Sequence, residues 1–221
     1  MAKAAEKDQT TPATGSSTNG RKTEVTYLVT VTGKSPIMFD RMSEETIQGL
    51  IDKERPPVRT DIDNKLRAEG KLYLSREGKI GIPVVNMLSC MREAGRKIKV
   101  GGKEQISTAA TTQMYGILSI ESDFLEFEGE PEAVIDVRRG VMHNAGKDTT
   151  VGIVRPMFRD WSFTFKMTVD YLAMEGLTFE HIQKLLQIAG NRIGLCSFRP
   201  ACNGPFGRFR VKMEEVEGDE G

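Results

Sequence analysis

From Trp161 to Asp170 the side chains alternate without a break: Trp161, Phe163, Phe165, Met167 and Val169 against Ser162, Thr164, Lys166, Thr168 and Asp170. A strict period of two fits an extended strand with one buried and one wetted face, and no helix. It also argues against an all-parallel sheet covered on both sides, whose strands read as continuous apolar runs. The chain must therefore build a sheet with a single apolar face, and must place something apolar over it.

Two further stretches repeat the pattern. In Glu24 to Thr32, the residues Val25, Tyr27, Val29 and Val31 share a face; near the C-terminus Phe209, Val211 and Met213 alternate with Arg208, Arg210 and Lys212. Helical spacing supplies the cover. Val84, Leu88 and Met91 fall on one face of a helix predicted from about Pro83 to Arg96, with Pro83 in its first turn. Thr178 caps a second helix bearing Ile182, Leu185, Leu186 and Ala189. After a break at Gly33-Lys34-Ser35-Pro36 and an apolar plug, Ile37-Met38-Phe39, Ser43 opens a short helix. Glu44 and Glu45 lie in its first turn, and Met42 and Ile47 have staple spacing.

The middle of the chain is less periodic. Leu72-Tyr73-Leu74 and Ile80-Gly81-Ile82 read as short strands around a turn at Glu77-Gly78, and Tyr115 to Ile120 and Val134 to Val137 as two more. The charged, Pro-containing stretch 52–70 reads as a surface insertion. The Gly, Asn and Asp content of Arg138 to Thr150 predicts a long loop. The expected architecture is α+β: a ferredoxin-like or RRM-like antiparallel sheet with helices packed on one face, plus insertions. The folded unit is expected over 24–213. It is flanked by a disordered N-terminal tail, 1–23, with no large apolar residue after Met1, and by an acidic C-terminal tail, 214–221.

Several function classes are disfavoured at this point. No run approaches the roughly 18 apolar residues of a membrane span, and 1–23 has no signal-peptide core, so a cytoplasmic protein without membrane contact is expected. Cys90, Cys196 and Cys202 are few, odd in number and not at metal-ligand spacing, which reads as reduced thiols. His143 in the predicted loop and His181 in a first helical turn are read as solvated. So are Asp61 and Asp63, although a carboxylate pair there has the chemistry to hold magnesium. There is no Walker loop and no G-x-S-x-G elbow. The expectation is no catalytic residue, no metal and no cofactor.

Charge placement is more telling than the overall balance of 31 basic and 31 acidic residues. From Arg138 through Lys212 there are twelve Lys/Arg and five Asp/Glu, a local net of +7, whereas Glu121 to Glu132 holds six carboxylates and no cation. Arg192, Arg199, Arg208 and Arg210 stand near Gly or Pro in the last loop and strand, interleaved with Phe198, Phe206 and Phe209. A Gly/Pro loop carrying arginines and rings suits phosphates and unpaired bases. The other reading is a solvated strand face with the phenylalanines in the core, which the alternation favours for Phe209. The candidate site is Arg192, Gly194, Arg199, Gly204, Phe206, Gly207, Arg208 and Arg210. The expected partner is single-stranded DNA or RNA, with a homo-oligomer assembling along it; the alternative is a protein–protein interaction module, such as an accessory subunit or an inhibitor of another protein.

These residues also carry a resemblance. The elements are Gly33-x-Ser35-Pro36-Ile37-Met38-Phe39-Asp40-Arg41, Ile82-Pro83 with Arg92-Glu93-Ala94, and Arg159-Asp160-Trp161. The longest is Leu185-x3-Ala189-Gly190-x3-Gly194-x3-Phe198-Arg199-Pro200-x3-Gly204-x-Phe206-Gly207-Arg208-Phe209. In them the chain resembles a family of tailed-phage and prophage proteins of about this length. More distantly, the Ile-Pro helix entry and the Gly-rich C-terminal loop are similar to the RAMP superfamily of CRISPR effector complexes. That likeness implies a modified RNA-recognition fold, with Gly194, Gly204, Gly207, Arg199 and Arg208 near a nucleic-acid backbone. The loop here is richer in Pro and Phe than in that superfamily. No His stands where its processing endonucleases need one, so no cleavage activity follows.

Overall fold

The computed structural model describes residues 23–54, 63–144 and 146–216, with backbone alone at 142–144 and 147. Strand β1 (Glu24–Gly33) leads through β2 (Ile37–Met38) to helices α1 (Glu44–Asp52) and α2 (Asn64–Glu69). Next come β3 (Gly81–Pro83), helix α3 (Val84–Gly95), and the small strands β4 (Lys99–Val100) and β5 (Glu104–Gln105). Helix α4 (Met114–Ile117), β6 (Leu118–Ile120) and β7 (Phe124–Glu126) precede two long strands, β8 (Ala133–Asn144) and β9 (Lys147–Phe158). The chain then forms β10 (Ser162–Asp170), helix α5 (Phe179–Ile188), a π turn (Ala189–Ile193), a 3-10 turn (Pro200–Cys202) and β11 (Phe209–Glu215).

The main sheet has the order β11-β1-β10-β6, and every neighbouring pair is antiparallel. Helix α3 lies between β1 and β6 in the chain, and α5 between β10 and β11. Each pair is parallel and separated by one strand. This is the split βαβ arrangement of a ferredoxin-like α+β fold, as the alternating strands predicted.

Register shows why the alternation matters. Val29 pairs with Phe165, and Val31 with both Phe163 and Val211. Tyr27, Val29, Val31, Phe163, Phe165, Met167, Val169 and Phe209 thus share one face and are buried. Against them pack Met87, Cys90, Met91 and Ala94 of α3 and Ile182, Leu185 and Leu186 of α5. Burying each large apolar side chain contributes roughly 1.5–3 kcal/mol. The opposite face is a ladder of hydroxyls, with Thr26 bonded to Thr168 at 2.9 Å and Thr164 to Thr30 at 3.3 Å.

At the end of β1 the backbone must pass Trp161. A Cβ on Gly33 would overlap the indole, whose Nε1–H donates to the Ser35 carbonyl at 2.9 Å. The plug Ile37, Met38 and Phe39 is then fully buried. Phe39 meets Phe158 at 5.0 Å and Phe127 at 5.8 Å between ring centroids.

Two sequence expectations are corrected and a third is narrowed. Tyr115 to Ile117 is helical, because Met114 and Ile117 are the buried pair and their spacing is that of one turn; only Leu118–Ile120 joins β10. Short apolar runs do not by themselves decide between periods. Arg138 to Thr150 is not a loop but the tip half of the β8–β9 hairpin, whose register runs from Ala133↔Phe158 to Asn144↔Lys147. Its glycines, read as loop signals, sit inside the ladder: a Cβ on Gly140 would overlap Ile153 across the strands, and only Gly146 (φ 83°) is at the tip. Third, Leu72–Leu74 and Ile80–Ile82 do flank the expected turn, joined by the bridge Leu74↔Ile80 and by Gly81 N–H on Tyr73 O at 3.3 Å, but the ladder goes no further, and Ile82 pairs with Leu125 of β7.

Within the 52–70 insertion, α2 buries Ala68. Ser43 caps α1 through Thr46 N–H at 3.2 Å, yet Met42 and Ile47 stay about half exposed and α1 buries no residue. The tails at 1–22 and 217–221 lie outside the described residues, and β11 continues to Glu215.

Candidate nucleic-acid interface

The loop that follows α5 is laced to the β1–β2 connection. Leu195 N–H donates to Gly207 O (2.9 Å), Ser197 N–H to Met38 O (2.9 Å), Gly207 N–H to Pro36 O (2.8 Å) and Lys34 N–H to Arg208 O (2.7 Å). The glycines read as points of approach for a phosphate backbone are used internally. A Cβ would overlap the Phe209 carbonyl oxygen at Gly190, the Phe198 carbonyl oxygen at Gly204 and the Leu195 carbonyl oxygen at Gly207. At Gly194 it would lie 2.7 Å from Pro200 Cδ. Gly194 (φ 77°) and Gly207 (φ 67°) also adopt left-handed backbone, which glycine takes without steric penalty. These glycines shape the loop that carries the arginines.

The four arginines divide into two kinds. Arg199 is half-buried: its Nη1 donates to Cys196 O at 3.0 Å and its Nη2 lies 3.6 Å from Glu93 of α3, so it pins the loop to a helix. Arg192, Arg208 and Arg210 are exposed, and no carboxylate among the described residues pairs with them. Lys34 Nζ donates to Asn191 Oδ1 at 3.0 Å, which sets it next to Arg192. Arg210 lies opposite Thr32, and Lys212 opposite Thr30, on the hydroxyl face. Lys34, Arg192, Arg208 and Arg210 therefore gather where β1 ends and β11 begins. Lys212 continues the row, but Glu214 neutralises it at 2.8 Å.

Phe209 is core, as its alternation indicated. Phe206 is half-buried and stands 5.9 Å from the ring of Phe198. The Arg138 guanidinium of β8 lies 4.8 Å from the Phe206 centroid and 5.7 Å from that of Phe198. Arg138 Nε donates to both oxygens of Asp136, at 2.9 and 2.7 Å. Sequence reading missed Arg138, Asp136 and Lys34 as members of the site. Arg138 had been placed in a loop, and only the hairpin brings it to the rings.

Across the same end of the sheet lies the acidic edge. Glu128, Glu130, Glu132 and Asp160 line a shallow groove of about 520 Å³ with Thr32, Gly33 and Trp161. Ser162 and Thr164 hydroxyls donate to Glu128 at 2.6 Å each and hold its carboxyl below the usual range.

His181 serves as a helix cap, its Nδ1 accepting from Thr178 N–H at 3.2 Å; His143 lies in β8 with only its backbone described. Asp61 is outside the described residues, among which no cluster of three or more His, Cys, Asp or Glu could hold a metal. All three cysteines are free, and burial pushes the Cys90 and Cys196 thiols up. No described helix is long and apolar enough to cross a membrane.

The fold and site together define a ferredoxin-like domain with a basic loop at one end of its sheet, and a solved structure shares that fold. In the cryo-EM structure of the type III-B Cmr-beta bound to cognate target RNA, one chain is 14% identical, with a TM-score of 0.50. The match covers 88% of this chain and 61% of that one, so this chain spans about three-fifths of its neighbour's length. The match shows a shared fold. No family model and no curated protein matches the chain.

Proposed function

We propose that this is a phage-encoded, non-catalytic RAMP-like protein that binds single-stranded nucleic acid without sequence preference in the cytoplasm, assembling along the strand as a homo-oligomer. The observation that carries this reading is the set of exposed arginines, Arg192, Arg208 and Arg210, without carboxylate partners among the described residues and beside Lys34. Cations left unpaired on a rigid loop are free to meet phosphates, and the Gly-dependent lacing fixes where they stand. The solved neighbour comes from a structure of Cmr-beta bound to target RNA, and this supports a nucleic-acid partner for a chain of the same fold. The phage assignment rests on the sequence resemblance described above.

Fluorescence anisotropy tests the proposal, with labelled single-stranded DNA, single-stranded RNA and duplex across a salt series. Binding to a single strand that weakens steeply with salt is expected, because each neutralised phosphate releases counterions. Absence of binding at low salt defeats the proposal.

One observation favours a second reading, a protein–protein module. Helix α1 buries nothing and exposes Ile47 (43%), Leu50 (63%) and Ile51 (67%). In that case binding to all three nucleic acids is weak, and replacing Leu50 and Ile51 by Ser abolishes capture of a protein partner.

A further inference from the structure

We infer that Arg138, backed by Phe198 and Phe206 and pinned by Asp136, is a stacking platform for an unpaired nucleobase. The inference rests on the nucleic-acid reading above and names the base-contacting part of that site. It begins with Phe198. This residue has φ 51°, a left-handed backbone that costs a bulky residue roughly 1–2 kcal/mol, yet it is 37% exposed. Burial of the ring does not account for that strain. The surrounding hydrogen bonds impose it: Ser197 N–H on Met38 O, Phe206 N–H on Phe198 O at 3.2 Å, and the close approach of Gly204 to the Phe198 carbonyl. The result is a ring held at the surface, tilted 58° to Phe206, with the guanidinium set against both.

The contact is not needed to dock the hairpin. Arg155 of β9 binds Asp40 through Nε at 2.8 Å and Nη2 at 2.6 Å, and β9 pairs with β2 along Ile37↔Phe158 and Met38↔Met157. Arg138 is therefore available for a second purpose. Its orientation is fixed on one side by the rings and at Nε by the carboxylate of Asp136, while 40% of the side chain remains exposed. A planar, delocalised cation held this way offers its outer face to another planar π system. Phosphates follow at Arg208, two residues beyond Phe206. A stacked base is the ligand that satisfies both, and stacking on a guanidinium is indifferent to base identity.

The test compares the full chain's affinity for oligothymidylate and for an abasic strand with the same number of phosphates. The wild type is expected to prefer the base-bearing strand by about tenfold or more, the worth of one stacked base. Arg138→Lys keeps the charge but not the plane, and Phe198→Leu keeps an apolar side chain but not the ring. Each brings the preference toward unity, and thermal melting checks that each variant is folded. Arg210→Ala weakens both strands in parallel and leaves the preference intact. Equal, salt-sensitive binding of both strands by the wild type overturns the platform and leaves the nucleic-acid reading standing. A preference that survives in both Arg138→Lys and Phe198→Leu also overturns it, by placing the base elsewhere. No binding of either strand defeats both.

Discussion

Asp40 joins parts of the chain that are far apart in sequence: it takes two hydrogen bonds from Arg155 of β9 and one, at 2.8 Å, from Lys71 beyond α2. Partial burial raises its pKa, but the hydrogen bonds and charges of Arg155 and Lys71 outweigh this, and the net direction is down from 3.8. A carboxyl whose folded pKa is depressed adds stability above its unfolded pKa and loses it as pH falls through the folded value. Asp40→Ala should lower unfolding free energy by about 1–2 kcal/mol at neutral pH, a charge-assisted bond discounted for partial exposure. Urea denaturation followed by Trp161 fluorescence checks this, and the difference from wild type should shrink below about pH 4. At Gly207 the expected effect is larger, since Gly207→Ala combines left-handed backbone with overlap on Leu195 O. The same assay should show a loss above about 2 kcal/mol, from strain and overlap together. The sequence reading set Gly207 near a nucleic-acid backbone; in the fold it is the Leu195 carbonyl that a Cβ there would meet. The sequence did not disclose what approaches, because a glycine permits contact with a ligand and with its own chain alike.

At the scale of elements, legibility followed period. β1, β10 and β11 each have one buried face, so their alternation survives in the sequence; α3 and α5 each keep an apolar stripe at helical spacing. The hairpin was invisible for the opposite reason. Along β8, Val137 and Val141 are exposed while Arg138 is half-buried against two rings, so neither face reads as apolar. The charged stretch 52–70 likewise hides α2, which buries only Ala68. Thr178 shows a local signal that did transfer: its backbone N–H and hydroxyl both bond His181 Nδ1, at 3.2 and 2.9 Å, closing the first turn of α5. Thr178→Ala should cost about 1 kcal/mol, a typical N-cap effect. The expected readout is a lower urea midpoint with an unchanged m-value, since the cap alters stability without altering the surface exposed on unfolding.

For the whole molecule, zero net charge conceals a division across one end of the sheet: arginines at the β11 side, and Glu128, Glu130, Glu132 and Asp160 at the β10 side. The sequence showed both clusters and left their relation open, because position along the chain does not say which strand edges meet. The fold does, since β1 alone stands between β11 and β10. A polyanion drawn to the arginines is therefore repelled from the far edge, which orients a strand along β11 and the Gly-rich loop. The consequence is quantitative. For a single strand the slope of log affinity against log salt is about −0.7 per neutralised phosphate. The double variant Arg208→Ala/Arg210→Ala should make that slope shallower by about 1.4 if each arginine neutralises one phosphate. Glu130→Gln/Glu132→Gln should instead tighten binding at low salt and leave affinity at high salt near wild type, because removing a repulsion across the sheet is screened within about 10 Å at 0.1 M. Anisotropy titrations of both variants with one labelled strand measure the two effects. An unchanged slope in the arginine pair would remove the β11 edge from the binding surface, whatever the wild-type affinity.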